Sequence, residues 1–600
     1  MQHECLKLAI CAAISGTAIF GCDSSSGATT PSTSCADAAA GATQTCLSEV
    51  NAAWEACYEN GDTACGADDP AVAAALDALE STVTASCTDG ELKSLDVTAL
   101  VGRLQTSCAS EAMSLASRSY GGPQGAVWAD GDVDNQACIQ AAHLSASNLI
   151  DAVVAGGNDC LASEVCDEAT FDADVVALAA SATEEIAQSC DALESLIALT
   201  PEQYVERAVH QSNCVIATVN ADTAPLTLSC GPERAGETPT RGEYVQVVLD
   251  GEEWGTLCGD GSPFAFQLRL APEGEPLDRV LIGMEGGGVC VFEADCSNIV
   301  DNAPDLLEAL SDEAPTSGIM SNDPEANPFA NWTKVFLPYC NQDVYTGGGV
   351  EQPFTDFTIQ RYGALNVRAA VEYVRNLLWR MLDEEGGDGY RPDQITAALG
   401  GWSAGGFGTL YNYHWVLDDL QWPHTSGFPD ASLALDSGGF PSISALGVLL
   451  VAQWAALPNF PPYCFAGDCA VGPTLYAATT PRLKAVPNQQ LLILTNQNDS
   501  TQVGTTFFPS TEAWINAERA SVCDTRDLDG IQYYLTSDTE SVHVVSLGPL
   551  YEGSVDGEVM SDWLWNGVVA DPDNVVDRME EGDFRNAIEG VNAFPCTVAP

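Results

Sequence analysis

The sequence predicts an α/β protein with a mostly parallel sheet over residues 240–600, preceded by a Cys-rich, mainly helical region over residues 35–230. Two textures and one motif carry that expectation. From Cys35 to Cys230 the chain is rich in Ala, Asp, Glu and Cys, with apolar residues at helical spacing. Past Gly231–Arg241, short apolar runs alternate with helical patterns, as strands buried on both faces of a parallel sheet do. Between an apolar run and a helix-like run, Gly401-Trp402-Ser403-Ala404-Gly405 has the G-x-S-x-G form of a sharp strand-to-helix turn.

The totals bound the rest. Six hundred residues allow several domains, and 46% hydrophobic with 18% charged residues reads as globular. The formal charge of −64, with only 21 Lys and Arg, excludes nucleic acid and electrostatic docking on anionic lipid as partners. A solvated acidic surface is the expectation, and a cation-binding one the sharper alternative.

Residues 1–22 read as an export signal, with Lys7 ahead of an apolar core, Leu8 to Phe20, too short to span a bilayer. Ala18-Ile19-Phe20-Gly21-Cys22 resembles a bacterial lipobox, which makes Cys22 the expected lipidation site and residues 23–34 a flexible linker. The expected location is the bacterial cell envelope, lipid-anchored, or the medium, with membrane contact only through that lipid. Of 23 cysteines, Cys5, Cys11 and Cys22 fall in this segment and leave an even twenty. No paired C-x-x-C spacing suggests zinc, so disulfides are expected and no metal.

In the helical region, Val72, Leu76, Leu79 and Val83 share one helix face, and Asp69-Pro70 supplies its cap and first turn. Cys35, Cys57, Cys65, Cys87 and Cys108 are spaced by 22, 8, 22 and 21 residues; Cys138, Cys160, Cys166, Cys190 and Cys214 by 22, 6, 24 and 24. That pattern predicts an internal duplication, with units at 35–120 and 138–222. His143 and His210 sit in helical patterns and read as structural. Asp130 to Asn135 hints at a calcium loop but lacks its bend glycine, and Ala141 stands where a bidentate Glu belongs.

In the second half, strands are expected at Val245–Leu249, Phe264–Leu270, Val280–Met284, Val335–Leu337, Ile395–Leu399, Leu433–Leu435 and Leu491–Leu494. Val367, Ala370, Val371, Val374, Leu378 and Met381 trace an amphipathic helix between two of them.

A serine nucleophile needs a base, an acid and an oxyanion hole. In the α/β-hydrolase order of Ser, acid, His, three histidines follow Ser403. His414 lies on the helix after the turn, and His424 precedes the next expected strand. His543 is therefore the expected base. Asp499, after the strand at Leu491–Leu494, is the expected acid, and Asp436, after Leu433–Leu435, the reserve. Glu285-Gly286-Gly287-Gly288 follows a strand and offers unobstructed backbone N–H groups; Gly287, Gly288 and Ala404 are the expected oxyanion donors. No phosphate-loop pattern competes.

Four blocks together resemble the pectin acetylesterase family, which includes the Notum-type carboxylesterases: Glu285 to Cys290, Pro338 to Gly347, Gly401 to Gly406, and Leu435-Asp436-Ser437-Gly438. The resemblance covers residues 240–600. It implies a secreted serine esterase with an α/β-hydrolase-like fold, no cofactor and several disulfides, using Ser403, Asp499 and His543. Val289 replaces the Trp of plant-type members, Tyr362 interrupts an Arg-Gly pair, and Trp402 is a bulky neighbour for the nucleophile. These departures bear on the substrate. The expected substrate is an acylated carbohydrate or another ester, acetyl first. A longer-chain carboxylesterase and an inactive cell-surface binding or adhesion protein are the alternatives.

Overall fold

The computed structural model describes residues 34–580, apart from 62–64, 66–68, 90–95, 123–124, 164, 221–222, 387, 419, 434–452, 462–489, 504–509, 526–529 and 539–541. Cys22 and Asp436 lie outside the described residues.

Six long helices open the chain: α1 (Cys35–Glu59), α2 (Pro70–Ser86), α3 (Val97–Tyr120), α4 (Val133–Ala162), α5 (Glu168–Ser189) and α6 (Pro201–Val219). Their starts follow local chemistry. Asp69 accepts the Ala71 N–H with Pro70 in the first turn, and Thr200 and Gln203 form a reciprocal capping box. Asp132 caps α4 by accepting the Asn135 N–H, so the calcium-loop hint is a helix start. Disulfides compensate for the Ala-rich packing. Cys35–Cys87 and Cys138–Cys190 each close 52 residues, and Cys46–Cys108, Cys57–Cys65, Cys160–Cys166 and Cys214–Cys230 complete the set here. A loop of that length is worth about 4 kcal/mol through the unfolded chain.

The sheet has nine described strands: β1 (Tyr244–Val248), β2 (Ala265–Arg269), β3 (Arg279–Met284), β4 (Thr333–Leu337), β7 (Thr396–Trp402), β8 (His424–Asp430), β9 (Leu491–Asn496), β10 (Ile531–Thr536) and β11 (Arg578–Met579). A separate hairpin supplies β5 (Val350–Pro353) and β6 (Thr358–Arg361). The order is β1-β2-β4-β3-β7-β8-β9-β10-β11, antiparallel at β1–β2–β4 and parallel from β4 onward. Both faces are covered, and alternate residues take opposite sides. Val280, Ile282, Leu399 and Ile493 join one core, while Leu281, Ala398, Leu492 and Leu494 join another.

Of the strand expected at Leu433–Leu435, only Leu433 lies among the described residues, and it is in no strand; the strand that follows β7 is His424–Asp430, so His424 begins a strand rather than preceding one. Thr425, Ser426, Gly427 and Pro429 look like a loop, yet the segment pairs with β7 residue for residue along its length. Small and polar side chains fit there because the neighbours are close. The Gly427 backbone lies against Leu491 and Tyr413. Strands β10 and β11 were not expected; β10 carries Tyr533 and Tyr534, whose hydroxyls bond Thr525 and the Glu558 carbonyl.

Helix α7 (Gly363–Glu385) and helix α8 (Ala404–Asp418) cover the first face, and the N-terminal helices pack outside them within the same core. From Cys35 onward the described residues form one compact unit. Arg103 on α3 forks onto Asp383 (2.5 and 3.1 Å) and lies 5.8 Å from the Trp379 ring centre, while the Gly231 N–H donates to Asn376 Oδ1 (3.2 Å). No helix among the described residues is long and apolar enough to cross a membrane.

Chain order then selects a crevice. From β3 the chain moves on to β4, on one side; from β7 it moves on to β8, on the other. The C-terminal ends of the adjacent strands β3 and β7 therefore flank the topological switch point, where such sheets bind ligands.

Candidate active site

The elbow sits at that point. Ser403 follows β7 directly and has φ 56°, a left-handed conformation that costs a non-glycine residue about 1–3 kcal/mol and persists only where surroundings enforce it. Here its N–H donates to the Asp430 carbonyl (2.9 Å), and its carbonyl accepts from the Gly406 N–H (3.0 Å) and the Ser432 hydroxyl (2.7 Å). Gly401 and Gly405 are required by close approach. A Cβ on either would strike the other's neighbourhood or the Met284 carbonyl. Trp402, which the sequence suggested would crowd the nucleophile, turns into the opposite core at 2% exposure.

Register brings the glycine loop alongside, since Met284 pairs with Gly401. A Cβ on Gly286 would sit 2.7 Å from the Trp402 carbonyl and 3.1 Å from Ser403 Cβ, so this loop passes over the elbow. Gly288 has φ 77° and open space where a side chain would project. Among the described residues, the N–H groups of Gly287, Gly288 and Ala404 donate no hydrogen bond. They are free to face an oxyanion.

Asp499 follows β9 and is fully buried. It accepts from Thr501 N (2.9 Å) and Gln502 Nε2 (2.8 Å), and its Oδ2 lies 2.6 Å from His543 Nδ1. His543 Nε2 is buried and has no hydrogen-bond partner, Ser403 included. Asn496 Nδ2 holds the incoming loop through the Asp538 (3.1 Å) and Val542 (2.9 Å) carbonyls. His414 lies in α8, the helix after the turn, and is buried there.

Two features escaped the sequence reading. One is Asp430, the residue that closes β8. Its buried carboxylate accepts from Val545 and Ser546, and burial raises its pKa to about 6. Beside the glycine loop, Gln342, Val344 and Tyr345 all have positive φ. Buried Arg361 steadies that strained turn by donating to the carbonyls of Asn341 (2.7 Å), Gln342 (3.0 Å) and Cys290 (3.1 Å), next to the Cys290–Cys296 disulfide. Neither positive φ nor an arginine buried by carbonyls has a sequence signature. Glu285 accepts the Tyr339 N–H (3.0 Å), and burial with the nearby charge of Asp312 raises its pKa to about 7. Among the described residues, no group of three His, Cys, Asp or Glu is arranged to hold a metal ion.

The chain's likeness to known proteins centres on the same strands. The family model for pectinacetylesterase matches residues 241–440, which include the glycine loop and Ser403 and end before Asp499 and His543. An inactive palmitoleoyl-protein carboxylesterase, notum1b, of Danio rerio is 36% identical over 115 residues, covering 18% of this chain and 76% of that protein. The chain belongs to the pectin acetylesterase family. Palmitoleoyl-protein carboxylesterase NOTUM of Homo sapiens is 33% identical over 188 residues, 30% of this chain and 34% of that protein. Pectin acetylesterase 4 of Arabidopsis thaliana is 26% identical over 212 residues, 35% and 47% of the two. The match spans 34% of the length of the Homo sapiens relative and 39% of notum1 of Xenopus laevis. An esterase is thus the class of protein to which this family member is related, and the large, mostly parallel sheet fits an α/β-hydrolase-like fold.

Proposed function

We propose that the chain is an exported serine esterase that hydrolyses small O-acyl esters, acetyl on a polysaccharide first among them. Ser403 attacks the ester carbonyl while His543 Nε2 takes its proton, and Asp499 holds the Nδ1–H tautomer and the imidazolium that forms. The N–H groups of Gly287, Gly288 and Ala404 bind the oxyanion. The alcohol leaves with the proton from His543; water, activated by the same imidazole, then releases the acid.

The observation that carries this reading is the 2.6 Å Asp499–His543 contact, beside an elbow and a glycine loop at the switch point. Ser403→Ala is expected to lower turnover of a chromogenic acetate ester by at least about a thousandfold with the circular dichroism unchanged. Turnover within about tenfold of wild type would contradict it.

Two other readings have support. The Notum relatives carry palmitoleoyl in their names, which favours a longer acyl chain. An acyl-chain-length series separates the two, because each predicts a different maximum in kcat/KM. One relative is named inactive, and no hydrogen bond joins Ser403 to His543 here, which favours a binding protein on the same scaffold. Absence of fluorophosphonate labelling would mark that case.

The proposed organisation is a signal at 1–22 with lipid on Cys22, a linker at 23–34, helical residues 35–230 and an esterase domain at 240–600. Intact mass of the mature chain tests the lipid. The equal 52-residue spans of Cys35–Cys87 and Cys138–Cys190 support a duplication at 35–120 and 138–222, although Cys108 and Cys214 take non-equivalent partners.

A further inference from the structure

Asp430 bonds both the residue of the proposed nucleophile and the loop that carries the proposed base, without being a member of the triad. Its backbone carbonyl accepts the Ser403 N–H (2.9 Å), fixing the nucleophile's own residue. Its side chain, fully buried, grips the chain just beyond His543: Oδ2 accepts from Val545 N (3.1 Å), Ser546 N (2.8 Å) and the Ser546 hydroxyl (2.6 Å), and Oδ1 from Val545 N (3.2 Å). Ser546 extends the link. Its hydroxyl oxygen accepts from Trp402 Nε1 (2.9 Å), the residue before the nucleophile, and its carbonyl accepts the Ile319 N–H (3.0 Å). On the other flank of His543, Asn496 holds Val542.

We infer that Asp430 is a positioning residue, which sets His543 against Ser403 by holding the elbow with its carbonyl and the histidine loop with its carboxylate. The physical case is economy of connection. Ser403 stands at the end of β7 and His543 in a loop beyond β10, and β8 and β9 separate β7 from β10 in the sheet. A rigid strand end between them relates the two only if it bonds to both. A carboxylate suits three donors converging from one loop, since it accepts at both oxygens and has no hydrogen to turn toward an N–H. An asparagine there turns an NH2 group on the same donors.

This inference rests on the Ser403–His543–Asp499 reading, and the test separates the two. Full-length wild type, Asp430→Asn, Asp499→Asn, Ser546→Ala and Ser403→Ala are compared by steady-state kinetics on a chromogenic acetate ester, thermal midpoint, and the low-field proton resonance of the Asp499–His543 hydrogen bond. Misplacing the base by a fraction of an ångström predicts that Asp430→Asn lowers kcat about 10- to 100-fold with KM nearly unchanged. The low-field resonance should persist in Asp430→Asn and vanish in Asp499→Asn. A folded Asp430→Asn with wild-type kcat overturns the proposal. So does loss of the resonance with a kcat as low as that of Asp499→Asn, because Asp430 would then be the partner acid. Should Asp430→Asn fail to fold, Ser546→Ala decides, with a fall in kcat of about 3- to 10-fold expected for one lost anchor and wild-type kcat overturning the role. Ser403→Ala at full turnover would remove the esterase reading itself, and the positioning role with it.

Discussion

The contact between Asp499 and His543 makes the sharpest prediction at the scale of single residues. Asp499→Asn keeps the shape but offers the imidazole the wrong tautomer partner, so kcat should fall about 10⁴-fold in ester turnover. Glu285 makes a second, through its charge. Burial and Asp312 raise its pKa to about 7, and above that a carboxylate forms next to the glycine loop, where it would oppose the proposed oxyanion. Activity should therefore decline on the alkaline side of pH 7, and Glu285→Gln, which still accepts the Tyr339 N–H, should remove that decline in a pH–kcat profile. The Asp499–His543 contact and the closeness of the glycine loop to Ser403 were legible in the sequence because histidines are few and the α/β-hydrolase order leaves one of them. Asp430 was not, because its role depends on a loop more than a hundred residues away.

Among the elements, the turn after β4 depends on Arg361. Replacing it by Met strips donors from three buried carbonyls and leaves Asp343 buried without its cationic neighbour. A loss of about 3–5 kcal/mol is expected, read as a lower urea midpoint with unchanged slope. In the helix bundle, burial lowers the His143 pKa from 6.5 to about 4, and Ser119 is its hydrogen-bond partner (3.1 Å). The unfolded chain protonates near pH 6.5 and the folded one only near pH 4. Stability from this group is thus present above pH 6.5 and falls as pH drops toward 4. Wild type should lose more stability than His143→Gln across that window in paired denaturation curves. Helix α2 and strands β3, β7 and β9 were readable from periodicity and apolar runs. Strand β8 was not: Gly427 and Pro429 are local signals for a loop, and tertiary packing between β7 and β9 overrides them.

For the whole molecule, charge and cross-links dominate. With 85 acidic against 21 basic residues, the compact state repels itself, so its thermal midpoint should rise by several degrees between low salt and 1 M NaCl. An unchanged midpoint would mean that the acidic groups are spaced widely enough to be independent. The helical region shares its core with α7 and carries six of the eight described disulfides. Composition predicted the cross-links but not that shared core, because contact between distant segments leaves no periodic trace. The most direct test of the central claim is fluorophosphonate labelling of the full chain followed by peptide mass mapping. The account predicts one adduct, on Ser403, lost in His543→Ala while the fold persists. An adduct on another serine, or none on a folded wild-type chain, would contradict it.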